Sequence, residues 1–545
     1  MSKQQHYTKI MIGVIGLLLP ATLYAKAPES IKIGLESVYK DVYTIHIKSE
    51  EPLTVGYFDE ERWIKEGTLD ASEVDVTLAN QTYYSYDDSY YDFEEAYDAL
   101  NQYDSEAVVA YVAPGEYLIY TTNAFEADSQ VTSNASRIAV ADEYGEVILV
   151  SENTDSPLGF RGGYKAYDFP ATGVGASRIY RGVIEVVKGQ SKGLTAVNHV
   201  DMEDYLYGVV PCEMSASWHQ EALKAQAVAA RSMATFQYSR YLSRGYNLVD
   251  TTSSQVYRGV TAEHPSSTAA VDATRGEIAT YNGKVAETVY SASSGGYTAD
   301  PKYVWGNEVA YLKAKPDLYE SVANHVPWTR TITTRELEKC IANQGKNIGT
   351  VEGLRIESYT ASGRVKELTI LGTKGEYTVS KENIRTFFSG SNEGSLKSRM
   401  FKFTPYENVS QNIVTTKPGS STSTSSGKVT IMTSDNIVEL DLDGLWIESD
   451  VDFSKVRGEV YLQGETDKIS SEEISGPIID GGNQDEDDFY IPEGEKLTVY
   501  GDVTLYGLGY GHGVGMSQYG AKGMAEAGFD YEDIITYYYD GVIIE

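Results

Sequence analysis

From Ile31 to Val55 apolar and polar residues alternate: Ile31 and Ile33, then Val42, Ile45 and Ile47, recur with the short period of strands. Residues 83–106 are a run of Tyr, Asp and Glu in which Phe93–Leu100 takes up helical spacing. Ala107–Val112 then reads as a buried strand and Tyr117–Tyr120 as another, so this part predicts a small α/β module. Residues 130–198 are strand-rich. The period then changes. Tyr205, Leu206, Val209 and Val210 recur at helical spacing, and Pro211 stops or kinks that short helix. Ser217 followed by Gln220 reads as a capping box, and the Ala-rich run from Glu221 to Leu242 is a strong helix former. From 273 to 380 short apolar strands alternate with Gly-containing turns, interrupted by a helix over Thr334–Ala342. Residues 415–427 are a Ser/Thr/Gly linker, and Lys428 to about Tyr500 is strand-like, acidic and studded with Gly. The pattern is that of an α+β chain.

Composition narrows the class. With 545 residues the chain is long enough for several domains, and its net charge is −34. That charge argues against nucleic acid, whose phosphates need Lys and Arg, and against polybasic attachment to anionic lipid. Lys3 and Lys9 precede an apolar run, Ile10–Leu19, and a Pro20–Ala25 tail, which predicts a signal peptide cleaved after Ala25. An uncleaved N-terminal anchor is the competing reading; either puts the bulk of the chain outside the cytoplasm. The two cysteines, Cys212 and Cys340, make no disulfide scaffold, and no zinc-ligand spacing is present, so neither metal nor cofactor is expected.

One carboxylate stands out. Glu213 lies at the break between the two helical segments, where neither helix needs it. Met214 and Trp218 beside it are placed to desolvate it, which raises a carboxyl pKa and lets the group donate a proton near neutrality. A Cys212 thiol assisted by His219 or His512 is the competing nucleophile.

The stretch Val209-Val-Pro-Cys-Glu-Met-Ser-Ala-Ser-Trp-His-Gln-Glu-Ala-Leu-Lys-Ala-Gln-Ala-Val-Ala-Ala-Arg231 resembles the core motif of the stage II sporulation protein D / amidase enhancer family. Further segments agree in order: Asp250 with Gln255-Val-Tyr257-x-Gly259, Ala273–Gly276, Tyr290–Thr298 with Val304-Trp305, Leu396–Phe401, and Gly511–Ala521 with Tyr537–Gly541 behind it. The resemblance covers roughly residues 190–410 and 500–545. It implies residues 186–412 as a strand-rich catalytic core with one long Ala-rich helix, completed by 501–545. Residues 26–185 are then an N-terminal α/β accessory region, with a pattern similar to glycan-binding repeats of sporulation and division proteins. Residues 413–500 are a linker and β-rich insertion, which closes on itself at a core edge or covers the cleft.

The resemblance also implies an activity: lytic cleavage of peptidoglycan glycan to 1,6-anhydro-muramyl ends, in wall remodelling during sporulation, with Glu213 catalytic. Lys224, Gln226 and Arg231 on the following helix are candidates to hold Glu213 or a sugar substituent. Ser294, Gly295 and Gly296 offer backbone N–H groups. His512 and Gln518 offer side-chain donors, and Tyr257, Trp305 and Tyr519 are candidate stacking faces. The chain departs from the family pattern at Cys212, Ser215, His219 and Met233, and two prolines are lost, which loosens the elbow around Glu213. Two further functions compete. One is a non-catalytic, wall-binding enhancer of an N-acetylmuramoyl-L-alanine amidase. The other, suggested by the acidic Tyr-rich N-terminal part, is a structural adhesin.

Overall fold

A computed structural model describes residues 26–152, 156–191, 193–320, 326–404, 428–432, 437–441 and 496–545. The predicted signal segment and most of the 413–500 insertion lie outside the described residues. The helices are α1 (Phe93–Ala99), α2 (Met202–Glu213), α3 (Gln220–Phe236), α4 (Pro265–Ala273), α5 (Thr334–Asn343), α6 (Asn383–Phe387), α7 (Gln518–Glu526) and α8 (Tyr531–Tyr538). Strands outnumber them, so the fold is mixed α+β and strand-rich.

Leu194–Asp201 is buried along nearly its whole length and runs through the interior of a seven-stranded sheet. Its neighbours are Ser30–Gly34, antiparallel with Ser30 opposite Asp201, and Val183–Lys188. The strand Val183–Lys188 spans the boundary expected at residue 185, and the N-terminal strand Ser30–Gly34 completes the sheet beyond it. A second, ten-stranded sheet is built from the N-terminal part. Both sheets share one hydrophobic core with α2, α3 and the C-terminal helices, from Ile31 to Val542.

Helix α3 runs through that core. Leu223, Ala225, Ala227, Val228, Ala229, Ala230 and Ala234 are all buried, and small side chains let neighbours approach it from every side. Helices α2, α4, α7 and α8 pack on it. It ends at Phe236 rather than Leu242, which belongs to a separate short turn, Leu242–Arg244. Its N-cap is His219, whose Nδ1 accepts from the Glu221 amide at 3.3 Å. The Ser217 hydroxyl bonds Ser215 instead, so the capping box expected there does not form.

A second core gathers Trp328, Leu337, Leu354, Ile370, Phe388 and Phe401. It is built on a four-stranded antiparallel sheet ordered Gly375–Ser380, Val365–Gly372, Val351–Tyr359 and Leu497–Tyr500, with the strands Trp328–Ile332, Val503–Leu508 and Met400–Lys402 in a smaller sheet. Helix α5, expected over Thr334–Ala342, forms there behind a capping box in which the Glu336 carboxylate accepts from the Thr333 amide at 3.0 Å. After Leu508 the chain returns to the first core as α7 and α8.

Candidate active site

Helix α2 explains where Glu213 sits. Pro211 lies inside its last turn and has no N–H to give the preceding turn, and three residues later Met214 leaves in extended conformation (φ −125°, ψ 145°). Glu213 is therefore the last helical residue, at the end of α2 where the helix dipole is negative. Its side chain is half-buried. Burial holds its pKa above the usual carboxylate value, and three donors pull the other way: the Val256 amide, the Gln518 side chain and the Tyr290 hydroxyl. The Val256 N–H lies 3.3 Å from Oε1 and Gln518 Nε2 lies 3.4 Å from Oε2. Burial outweighs the donors, so the group is protonated at a higher pH than a free glutamate and its carboxylate still has partners waiting.

The donors are themselves held. Gln518 Nε2 also donates to Gln226 Oε1 at 3.2 Å, and Gln226 lies fully buried on α3. Tyr290 OH accepts from Gln255 Nε2 at 3.0 Å, and Gln255 Oε1 accepts from Tyr205 OH at 3.0 Å. Gln518 opens α7, whose N-cap is Ser517. Ser517 Oγ donates to Glu320 at 2.8 Å, and the same buried carboxylate accepts from the Ser294 amide at 2.8 Å and Ser294 Oγ at 2.7 Å. Glu320 thus ties the 293–295 loop to the start of α7. Where that loop meets the chain at Gly509, Gly295 has φ +74°, and a Cβ there would stand 2.9 Å from Met400 Sδ and 3.1 Å from the Gly509 amide. The Trp218 and Tyr519 rings, from the turn before α3 and the start of α7, stand 5.2 Å apart.

Several expected ligand contacts prove to be internal. Tyr257 is buried between Tyr180 and Tyr205, donating to Asn198 Oδ1 at 2.8 Å; it packs the core and offers no sugar face. Arg231 is fully buried against Glu203, Nη2 to Oε2 at 2.6 Å, and also donates to the Glu277 carbonyl at 3.0 Å. Lys224 pairs with Glu221 at 2.8 Å and lies over the Tyr531 ring. The Ser294 and Gly295 amides already face Glu320, and Gly296 N–H donates to Ser294 Oγ at 3.1 Å, so that nest faces the protein. His512 accepts from the Val514 amide at 3.0 Å and stands edge-on to Trp305; burial lowers its pKa to about 3, which keeps it neutral. The Cys212 thiol donates to the Gly208 carbonyl at 3.3 Å and burial pushes its pKa to about 11, the wrong direction for a thiolate nucleophile. His219 is committed to its helix cap.

Of the sequence candidates, Glu213, Gln226 and Gln518 come together. Sequence reading missed the Val256 amide, the Tyr290 hydroxyl and Glu320; Val256 and Tyr290 sit inside segments it had marked, but a backbone donor and a partner carboxylate carry no signature.

A half-open carboxyl with raised proton affinity, ringed by amide and phenol donors, is the equipment of a general acid. Residues 190–281 match the family model described as stage II sporulation protein, and residues 306–417, much of the second core, match a domain of unknown function. Residues 190–281 thus carry a stage II sporulation protein D domain, and the likeness beyond it is to curated proteins named amidase enhancer and stage II sporulation protein D. It is 30% identical over 355 residues to the amidase enhancer of Bacillus subtilis (strain 168), an overlap covering 62% of this chain and 40% of that protein. With stage II sporulation protein D of the same strain it is 25% identical over 367 residues, 64% of this chain and 76% of that one. An uncharacterized protein of Brachyspira hyodysenteriae is 28% identical over 352 residues, 64% and 68% of the two chains.

Proposed function

We propose that this protein is a lytic transglycosylase acting on the glycan of peptidoglycan, outside the cytoplasm, in the wall remodelling of sporulation. The observation that supports it is the Glu213 carboxyl: half-open, raised in pKa, and faced by donors suited to its conjugate base. Protonated Glu213 gives its proton to the glycosidic oxygen as the bond to the muramyl C1 breaks. The resulting carboxylate, held by Val256 N–H and Gln518, accepts the proton of that sugar's C6 hydroxyl as the hydroxyl oxygen bonds C1. A 1,6-anhydro end forms and the acid is regenerated, with no water consumed. A hydrolytic glycosidase needs a second carboxylate. The one carried by the neighbouring motif, Asp250, is fully buried and engaged by the Ser37 amide at 2.8 Å and Arg178 at 3.3 Å.

Digestion of purified peptidoglycan by the full chain, read by mass spectrometry, tests this. Anhydro-muramyl ends from wild type and none from Glu213→Gln are expected; equal cleavage by the variant would sink the assignment. The second reading, stimulation of a cell-wall amidase, is favoured by the likeness to an amidase enhancer, of whose length this chain spans 40%. Stimulation of a partner amidase that survives Glu213→Gln, without anhydro products, would establish that reading instead. Among the described residues no helix is long and apolar enough to cross a membrane.

A further inference from the structure

A chain of net charge −34 carries a group of exposed lysines near Trp305. Trp305 is 41% exposed and rests edge-on against His512, ring centres 5.1 Å apart. Lys381 lies against it: a Cβ on Gly306 would stand 2.5 Å from the Lys381 ammonium, and the Glu382 amide bonds the Val304 carbonyl at 3.2 Å. The Lys381 amide faces the Lys366 carbonyl at 3.4 Å, and Lys366 Nζ stands 5.3 Å over the ring of Tyr303. On the other side the Lys397 carbonyl accepts from the Gly511 amide at 2.9 Å, next to Tyr510, itself 50% exposed.

Lys366, Lys381 and Lys397 are exposed and make no salt bridge among the described residues. Two acids of the neighbourhood are engaged, Glu382 with Arg385 and Arg399 and Glu308 with Lys302, while Glu367, next to Lys366 on its strand, is exposed. Like charges gathered without counter-ions repel one another, and that cost is recovered when an anion arrives. The group adjoins the same loop as the site. His512 precedes Gln518 by six residues, a span of at most about 20 Å, and the strand Tyr290–Ser291 pairs with Met516–Ser517 between them.

We propose that Trp305, with Lys366, Lys381 and Lys397 around it, is a subsite for an anionic glycan, the indole stacking on a sugar ring while the ammonium groups pair with carboxylates along the strand. The ligand rests on the glycan reading given above and adds what is recognised in it, the acid groups of the muramyl sugars. A polyol phosphate has charge but no ring for the indole, and a dense polyphosphate meets an acidic protein everywhere else.

The test uses the full chain carrying Glu213→Gln, so that binding is read without cleavage. The probes are peptidoglycan glycan strands freed of stem peptides, and the same strands with their carboxylates converted to methylamides. Converting the strands, or combining Lys381→Gln with Lys397→Gln, should weaken binding roughly tenfold and flatten its salt dependence. Trp305→Ala should weaken binding by a similar factor and leave the salt dependence as it was. All three side chains are exposed, so the fold should be indifferent to these changes. Equal binding to native and amidated strands, or unchanged binding by the double lysine variant, would overturn the subsite, as would a polyol phosphate that binds more tightly than the strands. If wild type cleaves no glycan but these differences persist, the catalytic reading fails and the subsite stands.

Discussion

Gln518 reaches Glu213 across 305 residues of chain, Nε2 to Oε2 at 3.4 Å, and the same nitrogen also serves Gln226. The donor lowers a pKa that burial has raised, and it faces the oxygen that becomes negative as the proton leaves. In Gln518→Ala that support is gone. The rate of glycan cleavage should fall roughly 100- to 1000-fold, as for loss of one preorganised donor. General-acid activity needs protonated Glu213 and is lost as pH rises through its pKa. Removing a pKa-lowering donor should therefore move that limb to higher pH, seen in a pH profile of cleavage.

Tyr257→Phe separates packing from recognition. The hydroxyl donates to buried Asn198, and a Cβ on Gly208 would stand 2.6 Å from the Tyr257 ring, so the ring fills space that a glycine leaves open. The variant should lose about 1–2 kcal/mol of stability by denaturant unfolding, with KM for glycan unchanged. A raised KM at full stability would restore Tyr257 to the sugar site.

The pair Arg231–Glu203 is buried on both sides, and Arg231 also supports the Glu277 carbonyl. Arg231→Met strands the Glu203 carboxylate in the core. The expected loss is about 3–5 kcal/mol, measured as a lowered unfolding midpoint.

Asp317 and Glu320 lie together behind Ser294, and burial beside a second carboxylate holds the Asp317 pKa well above its ordinary 3.8. A folded-state pKa above the unfolded one means that stability is fully present below pH 3.8 and declines as pH rises through the raised value. Asp317→Asn keeps an acceptor for Tyr538 OH and removes the titration. Its stability should vary less than that of wild type from pH 3.8 upward, checked by urea unfolding at a series of pH values. An unaltered profile would place the proton elsewhere.

Local pattern was legible where one element sufficed. Helical spacing found α1 and α2, and the Ala-rich run found α3, because each signal lies within one element. The cap of α3 was misread by two residues, because Ser217 and His219 both suit the role and only the folded turn selects His219. Arg231 and Tyr257 carried the residue types of a sugar site, yet Glu203, 28 residues away, and the space above Gly208 draw them inward. The expected boundary at 185 fell within a strand, since the pairing of Ser30–Gly34 with Leu194–Asp201 joins segments far apart in sequence.

By itself the sequence determined that a glutamate would end a helix. Pro211 closes α2 two residues later and an Ala-rich helix begins beyond it, and both effects act within a few residues. What surrounds that glutamate was decided by tertiary structure. Burial sets its proton affinity, and burial came from the packing of α2, α3 and α7 around one core. The Val256 amide and Gln518 reached it only because closing long loops costs little more than closing short ones, while the apolar surface buried in doing so is large.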